Sequence, residues 1–331
     1  MHITFYHYDK PFEVPFIEDF TEGLKDYVDT TIDTCHVDDF KKVPKHSDIA
    51  AFVGIRGRTR EIVDAYRDLG KRVIVFDKGV IRFRNISSHR RVNLDGGTCL
   101  AYLNRVKIRP ADRWKSLNIS LAPMQHGEPG APIIYANNSQ KVHDYWGLGS
   151  AEELAEDTVR KLMHMAPKRK IVFSPKPRAL DFREIEGAIL SLKPNTIEDA
   201  LAGKIPGVDG KRAHCLVTHT SSCSINALIA GVPVVVLSPN PAKSVAGKYI
   251  EQALQPPLPT DEERLRLLQN LAWCQWTAAE FRNGEMWRFL KREIAATLPQ
   301  KDEPIAPLRK EDENEGVRND PGEVGVKGPT T

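Results

Sequence analysis

Long apolar runs are missing from this sequence. No window approaches the roughly 18 consecutive apolar residues of a spanning helix, so no membrane partner is expected. Met1-His2-Ile3-Thr4-Phe5-Tyr6 has neither the basic start nor the apolar stretch of a secretory leader, and the expected location is the cytoplasm. Cysteine is scarce: Cys35, Cys99, Cys215, Cys223 and Cys274 are scattered, odd in number and nowhere arranged as C-x-x-C. That argues against a disulfide framework and against a zinc site, and no metal ligands are expected. A D-x-D string, a G-x-G-x-x-G fingerprint and a Walker Lys-Ser/Thr are all absent, as is any internal repeat of roughly 20–50 residues. Net charge is only +3.

What is present is the composition of a folded chain, 41% hydrophobic and 27% charged, and 331 residues suit two domains of about 100–200 residues each. Charge is unevenly placed. Residues 1–50 hold 5 basic and 11 acidic side chains, net −6, whereas residues 51–120 hold 16 basic and 6 acidic, net +10. The basic stretch includes Arg56, Arg58, Arg60, Arg82, Arg84, Arg90, Arg91, Arg105, Arg109 and Arg113. It reads either as a solvated face or as a surface for a polyanion such as nucleic acid, with Arg56, Arg58, Arg82, Arg84 and Arg91 as the contacts. From residue 299 the chain is acidic, Gly/Pro-rich and almost without large apolar residues, the pattern of a disordered tail.

Between these limits, short apolar runs alternate with helical spacing. Strands are expected at 3–8, 49–53, 73–76, 132–135, 170–173, 188–191, 214–217 and 234–237, with helices between them and a closing helical segment from Thr260 to about Leu298. Apolar strands in β-α-β order indicate parallel sheets covered on both faces. The expected fold is α/β: two Rossmann-like doubly wound domains, residues 1–130 and 131–298, followed by a tail at 299–331.

One segment carries most of the chemistry. After strand 214–217, Thr218, His219, Thr220, Ser221 and Ser222 form a small hydroxyl-rich turn into a helix that ends at Gly231 before Pro233. A helix start offers backbone N–H groups and partial positive charge to a phosphate, although hydroxyl residues there are also ordinary caps. A second segment, Phe173-Ser174-Pro175-Lys176-Pro177-Arg178, holds Lys176 and Arg178 on a loop stiffened by two prolines.

The string from Val217 through Asn226 to Gly231-Val232-Pro233 resembles the nucleotide-sugar-binding segment of GT-B glycosyltransferases. Asp77-Lys78-Gly79, Arg91-Val92-Asn93, Leu271 to Trp276 and Arg282 to Trp287 are similar to phage and prophage proteins with a glycosyltransferase-like second half. The resemblance covers about residues 50–290. It implies two domains facing a cleft, with the last helices returning to the first domain, so that Trp273, Trp276 and Trp287 pack across domains rather than stack on bases. It also implies a nucleotide-sugar as co-substrate and no other cofactor. Lys176, Arg178 and Thr218 to Ser222 would surround the donor diphosphate. The family's ribose-binding acid corresponds here to Asn226, which keeps a hydrogen bond without the charge.

A general base for the acceptor hydroxyl is sought at strand ends and in the basic loop. Asp77 is the first choice, beside His89, Asp95, His7 and Asp9. The turn from Gly54 to Thr59 lacks phosphate-loop spacing and is read as a strand-to-helix turn facing the acceptor. The leading expectation is a hexosyltransferase-like, metal-independent enzyme. Its acceptor is a hydroxymethylated pyrimidine in phage DNA, which places it in the host cytoplasm, or a surface polysaccharide. A nucleotide-sugar epimerase and a non-catalytic nucleic-acid-binding protein on the same scaffold are the alternatives.

Overall fold

A computed structural model of the chain describes residues 1–55, 57–83, 89–97, 99, 103, 108–176, 184–191 and 197–297. The acidic tail and Leu298 lie outside the described residues.

Two sheets make the fold. The first has the order β2-β1-β3-β4-β5-β11. It comprises β1 (His2–His7), β2 (Thr31–His36), β3 (Ile49–Val53), β4 (Arg72–Lys78), β5 (Arg90–Leu94) and β11 (Gln275–Trp276). β2, β1, β3 and β4 pair in parallel, while β5 runs antiparallel to β4 and β11 antiparallel to β5. The second has the order β8-β7-β6-β9-β10, from β6 (Ile133–Ala136), β7 (Ile171–Ser174), β8 (Ile189–Leu190), β9 (Cys215–Thr218) and β10 (Val234–Val236), all parallel. Every residue of β3, β6, β9 and β10 is buried. This double coverage is what their unbroken apolar runs call for.

Both sheets reverse their strand order once, the first between β1 and β3 and the second between β6 and β9. In doubly wound folds ligands bind at the strands' carboxyl ends beside such a reversal. The two Rossmann-like domains turn these edges toward a shared cleft, as the resemblance implied.

The helices are α1 (Val14–Leu24), α2 (Thr59–Asp68), α3 (Asp112–Ser116), α4 (Gln140–Trp146), α5 (Ala151–Met165), α6 (Ile197–Leu201), α7 (Cys223–Ile229), α8 (Asp261–Ala272), α9 (Ala278–Arg282) and α10 (Glu285–Ala296). The last three return to the first domain. β11, between α8 and α9, pairs with β5, and α9 lies so close to α1 that a Cβ on Gly23 would collide with the Phe281 carbonyl. Trp287 and Trp276 are buried, and Trp287 meets Phe20 edge to face at 5.8 Å. The same apolar cluster includes Leu267, Leu268 and Leu271 of α8 and Ile225 and Leu228 of α7, so the crossing helices pack on both domains. Arg264, fully buried in α8, donates to the carbonyls of Ala122 and Leu228 at 2.9 and 2.6 Å.

Candidate functional site

A cleft of about 830 Å³ opens between the two carboxyl edges. Its first-domain wall includes Ile55, Asp77, Arg82 and Arg91, and its second-domain wall includes Lys141, Lys176, Glu198, Thr220 to Cys223 and Asn226.

The β9–α7 turn is built as a rigid shelf. Thr218 Oγ donates to the Ala136 carbonyl at 2.7 Å and accepts from Ser221 N–H at 3.2 Å. Buried Asn240 holds the turn from below, donating to the Ser221 carbonyl at 3.0 Å and accepting from Ser224 Oγ at 2.8 Å. Thr220, Ser221 and Ser222 therefore present their side chains to the cleft from a fixed backbone.

Two expectations for this turn need correction. Thr218 and His219 do not line the cleft but lie beneath it, because Thr218 continues the buried strand and His219 faces inward. The His219 ring sits between Ser238 Oγ (3.0 Å) and Thr158 Oγ (3.2 Å). The helix start is also a weaker phosphate seat than supposed. α7 has only seven residues, and the N–H groups of Ser221, Cys223 and Ser224 already bond within the turn. Side-chain hydroxyls and cations are what the cleft offers.

Lys176 leaves the end of β7 and lies 3.2 Å from Ser139 Oγ. Partial burial in the cleft holds its ammonium below the usual lysine range; Asp77 opposes this, while Arg82, Lys141 and Lys78 add to it. Arg82 donates from Nε to the Gly79 carbonyl at 2.6 Å, and burial likewise lowers its pKa. Among the described residues Lys141, Lys176 and Arg82 form no ion pair with a carboxylate. Arg91 is bound to Asp77 at 2.6 Å. Arg56, Arg84 and Arg178 lie outside the described residues.

Of the candidate bases, only Asp77 reaches the cleft, its side chain 42% exposed. Asp95 is corrected to a structural role: it is buried at the far, amino end of β4, 2.8 Å from Arg72. His89 is half-buried outside the cleft lining, and burial lowers its pKa. His7 pairs with Asp9 at 2.8 Å, also outside the lining.

The sequence reading missed Glu198. Its carboxylate accepts from Asn226 Nδ2 at 2.6 Å, so an acid from α6 stands beside the amide on α7. Nothing in the sequence around residue 198 marks this, since the pair depends on packing between two helices far apart in the chain.

Several arginines of the basic stretch are paired with acids inside the molecule. Arg72 pairs with Asp95, Arg90 with Asp19, Arg109 with Glu293 and Arg113 with Glu280. Arg58 turns to Asp38, Glu61 and the Phe40 carbonyl rather than to the cleft. These arginines tie the first domain together and to the returning helices.

His219 gives the second domain a pH dependence. Burial, aided by the neighbouring His143, lowers its pKa to about 4, with Asp157 opposing. Thr158 Oγ donates to the Leu154 carbonyl, so it accepts from His219 Nε2–H and the ring is neutral. The unfolded histidine titrates near its ordinary value of about 6.5, so the unfolded state takes up the proton first as pH falls. Stability is fully present above about pH 6.5 and should drop by about 3 kcal/mol as pH falls to about 4. Urea midpoints across that range will show the loss, and His219→Gln should flatten it; equal pH dependence in both proteins would reject the assignment.

Around the cleft, the described residues bring no three His, Cys, Asp or Glu ligands together. The trio that does meet is His2, Asp33 and His46, at the opposite edge of the first sheet. No described helix is long and apolar enough to cross a membrane.

No protein-family model matches this sequence, and no curated protein matches it. Among solved structures the chain is similar to the β-Kdo 2,7 transferase KpsC of Thermosulfurimonas dismutans, at 14% identity over 88% of this chain and 100% of that one, with a TM-score of 0.49. The β-Kdo 2,4 transferase from the same source gives 11% identity over 81% and 90%, with a TM-score of 0.46. The Methanocaldococcus jannaschii UDP-GlcNAc 2-epimerase, solved with UDP-GlcNAc and UDP, gives 11% over 90% and 100%, with a TM-score of 0.35. Each likeness is distant, and the two-domain architecture rests on the strand pairings themselves.

Proposed function

We propose that this chain is a GT-B-like glycosyltransferase that takes its sugar from a nucleotide-sugar held in the cleft. The observation that carries this is the meeting, in one cleft, of the hydroxyl shelf Thr220–Ser222 with three cations, Lys141, Lys176 and Arg82, that have no carboxylate partner among the described residues. That set suits a diphosphate: fixed hydroxyl donors and positive charge lining the same cleft. The cleft volume also falls within the range of about 300–1,000 Å³ typical of small-molecule sites.

In this reading Lys176 and the shelf bind the diphosphate; Arg178, expected beside them from the sequence, lies outside the described residues. Asn226 and Glu198 face the ribose, the Glu198 carboxylate supplying the charged acceptor for a diol that Asn226 alone lacks. The acceptor oxygen attacks the anomeric carbon, the bond from that carbon to the diphosphate oxygen breaks, and its electron pair leaves with the nucleoside diphosphate. Asp77 takes the acceptor proton. Cations already in place stabilise the developing charge without reorganising, which is where such sites gain most of their rate. No metal is required by this set.

A side lobe of about 460 Å³ between Tyr8, Lys10, Arg60 and Tyr145 adjoins the cleft at Ile55. It gives an acceptor room that an epimerase would not need, which favours transfer. For the acceptor, Arg58, Arg72, Arg90, Arg109 and Arg113 of the basic stretch are taken up by internal acids, and Arg82 and Arg91 line the cleft. That supports a glycan or small acceptor over duplex DNA, whose affinity depends on many phosphate contacts.

The test is a thermal-shift screen against UDP-, GDP-, CDP- and dTDP-sugars, since a ligand bound only by the folded state raises Tm. One donor class should stabilise the protein. Lys176→Ala and Glu198→Gln should each weaken that binding by about 10- to 100-fold, the loss of a charged hydrogen bond. No shift with any donor, in protein that still binds DNA with a steep salt dependence, would overturn the reading in favour of a non-catalytic nucleic-acid-binding protein.

A further inference from the structure

The amino edge of the first sheet, at the other end of the strands from the cleft, carries its own constellation. β1 and β2 pair in register, His2 with Thr31 and Thr4 with Asp33, so these four side chains emerge on one face of the sheet. His46 reaches that face from the turn before β3. Asp33 Oδ2 lies 2.8 Å from His2 Nε2 and 3.5 Å from His46 Nε2, and the two rings meet edge to face with centroids 4.4 Å apart.

We propose that His2, Asp33 and His46 bind a zinc-class divalent cation that clips the edge strand β2 to the turn before β3. Two imidazoles and one carboxylate form a borderline nitrogen and oxygen donor set, which suits Zn²⁺ and its Co²⁺ and Ni²⁺ neighbours over Mg²⁺ or Ca²⁺. Ligand atoms at about 2.0–2.1 Å from tetrahedral zinc stand roughly 3.3 Å apart. The observed 2.8 and 3.5 Å separations bracket that value, so small side-chain rotations admit the ion. Water completes the coordination on the exposed side, where Asp33 and His46 are 57% and 62% exposed.

The site is held in shape by its surroundings. Thr31 Oγ lies 2.7 Å from His2 Nδ1. With Nδ1 protonated and donating to that hydroxyl, the Nε2 lone pair faces the carboxylate, the outer-shell arrangement that fixes the tautomer of a ligating histidine. His2 N–H donates to Asp48 Oδ2 at 2.8 Å, and Asp48 N–H donates to the His2 carbonyl at 2.8 Å. Next to His46, fully buried Ser47 accepts from Thr4 Oγ at 2.8 Å and lies 2.6 Å from Tyr66 OH. Both histidines therefore sit on backbone already ordered by folding, which lowers the entropy cost of closing around an ion. Asp33 and Asp48 add the negative charge that a dication favours.

β2 gains most from such a clip. It is the outermost strand, paired on one side only, and half of its residues are exposed. This inference is independent of the glycosyl-transfer reading, because the cleft lies at the opposite end of the strands.

The test is calorimetric titration of tag-free, EDTA-treated full-length protein with ZnCl₂. One equivalent should bind, and saturating zinc should raise Tm by a few degrees. His46→Gln and Asp33→Asn should each weaken binding by about 100-fold or more, beyond the roughly 10- to 100-fold cost of losing an outer-shell partner. His164→Gln, which alters a histidine elsewhere on the protein, should bind as the parent does. The exposure of His46 keeps its variant folded, which an unchanged Tm without zinc will verify. No binding, an unchanged isotherm in His46→Gln, or an equal loss in His164→Gln would each overturn the proposal.

Discussion

Asp77→Asn is expected to lower glycosyl transfer by about 10²–10⁴-fold while leaving the donor-induced thermal shift in place. Asp77, one residue before the end of β4, stands directly opposite Arg91 of β5, so the ion pair between them is set by the sheet register itself. Its Oδ2 meets Arg91 at 2.6 Å and its Oδ1 accepts the Lys78 N–H at 2.7 Å. The carboxylate is thus aimed by a fixed scaffold, yet stays open to the cleft. Among the described residues Glu198 is the other carboxylate in the lining, and it stands on the opposite wall, bonded to Asn226. In the proposed reading the base on the acceptor side is therefore Asp77. Asparagine keeps the shape and the Lys78 contact but cannot take the proton. Unchanged kcat/KM would remove Asp77 from the proton transfer. Loss of the donor shift together with activity would instead assign it to holding Arg91 in place.

The parts of the fold that could be read ahead are those where burial dictates composition. Ile49–Val53 is a strand in the sequence pattern and in the structure, because a parallel strand buried on both faces has to be apolar throughout. β2, Thr-Ile-Asp-Thr-Cys-His, escaped for the opposite reason. It is an edge strand whose exposed positions place no demand on hydrophobicity, and its position is fixed by pairing with β1. β11 is two residues long and exists only because the returning chain meets β5. The site divides in the same way. Ser221, Ser222 and Lys176 could be found because they follow strand ends directly, where topology puts ligands. Glu198 and the inward turn of His219 could not, since both depend on how helices pack against their neighbours. The internal pairing of the basic stretch could not be read ahead, because charge counted along a chain does not show which acids lie across from it in space: Asp19, Glu280 and Glu293 come from segments far from residues 51–120.

Asp95 shows what one such buried pair contributes. Asp95→Ala should destabilise the protein by about 3–5 kcal/mol, the usual cost of leaving one partner of a buried ion pair without its counter-charge. Its carboxylate is 2% exposed and holds Arg72 through two contacts, at 2.8 and 3.0 Å, while also accepting the Val73 N–H at 3.3 Å. Arg72 in turn donates to the Ile294 carbonyl and to Thr297 Oγ at the end of α10. Removing the carboxylate takes its charge away from a 9% exposed guanidinium at the point where the last helix is fastened to β4. Asp95→Asn should cost less. Asparagine keeps an acceptor for Arg72, and it tolerates the left-handed backbone that Asp95 adopts at φ 65°, a conformation that penalises most other residues. Urea denaturation of the three proteins tests both the size and the order of the effects. A loss under about 1 kcal/mol for Asp95→Ala would place the pair with weak surface bridges and remove it as the fastening of the crossing helices. Because residue 95 lies at the amino end of β4, away from the cleft, Asp95→Asn should also retain the donor-induced thermal shift, which separates its structural role from the chemistry assigned to Asp77.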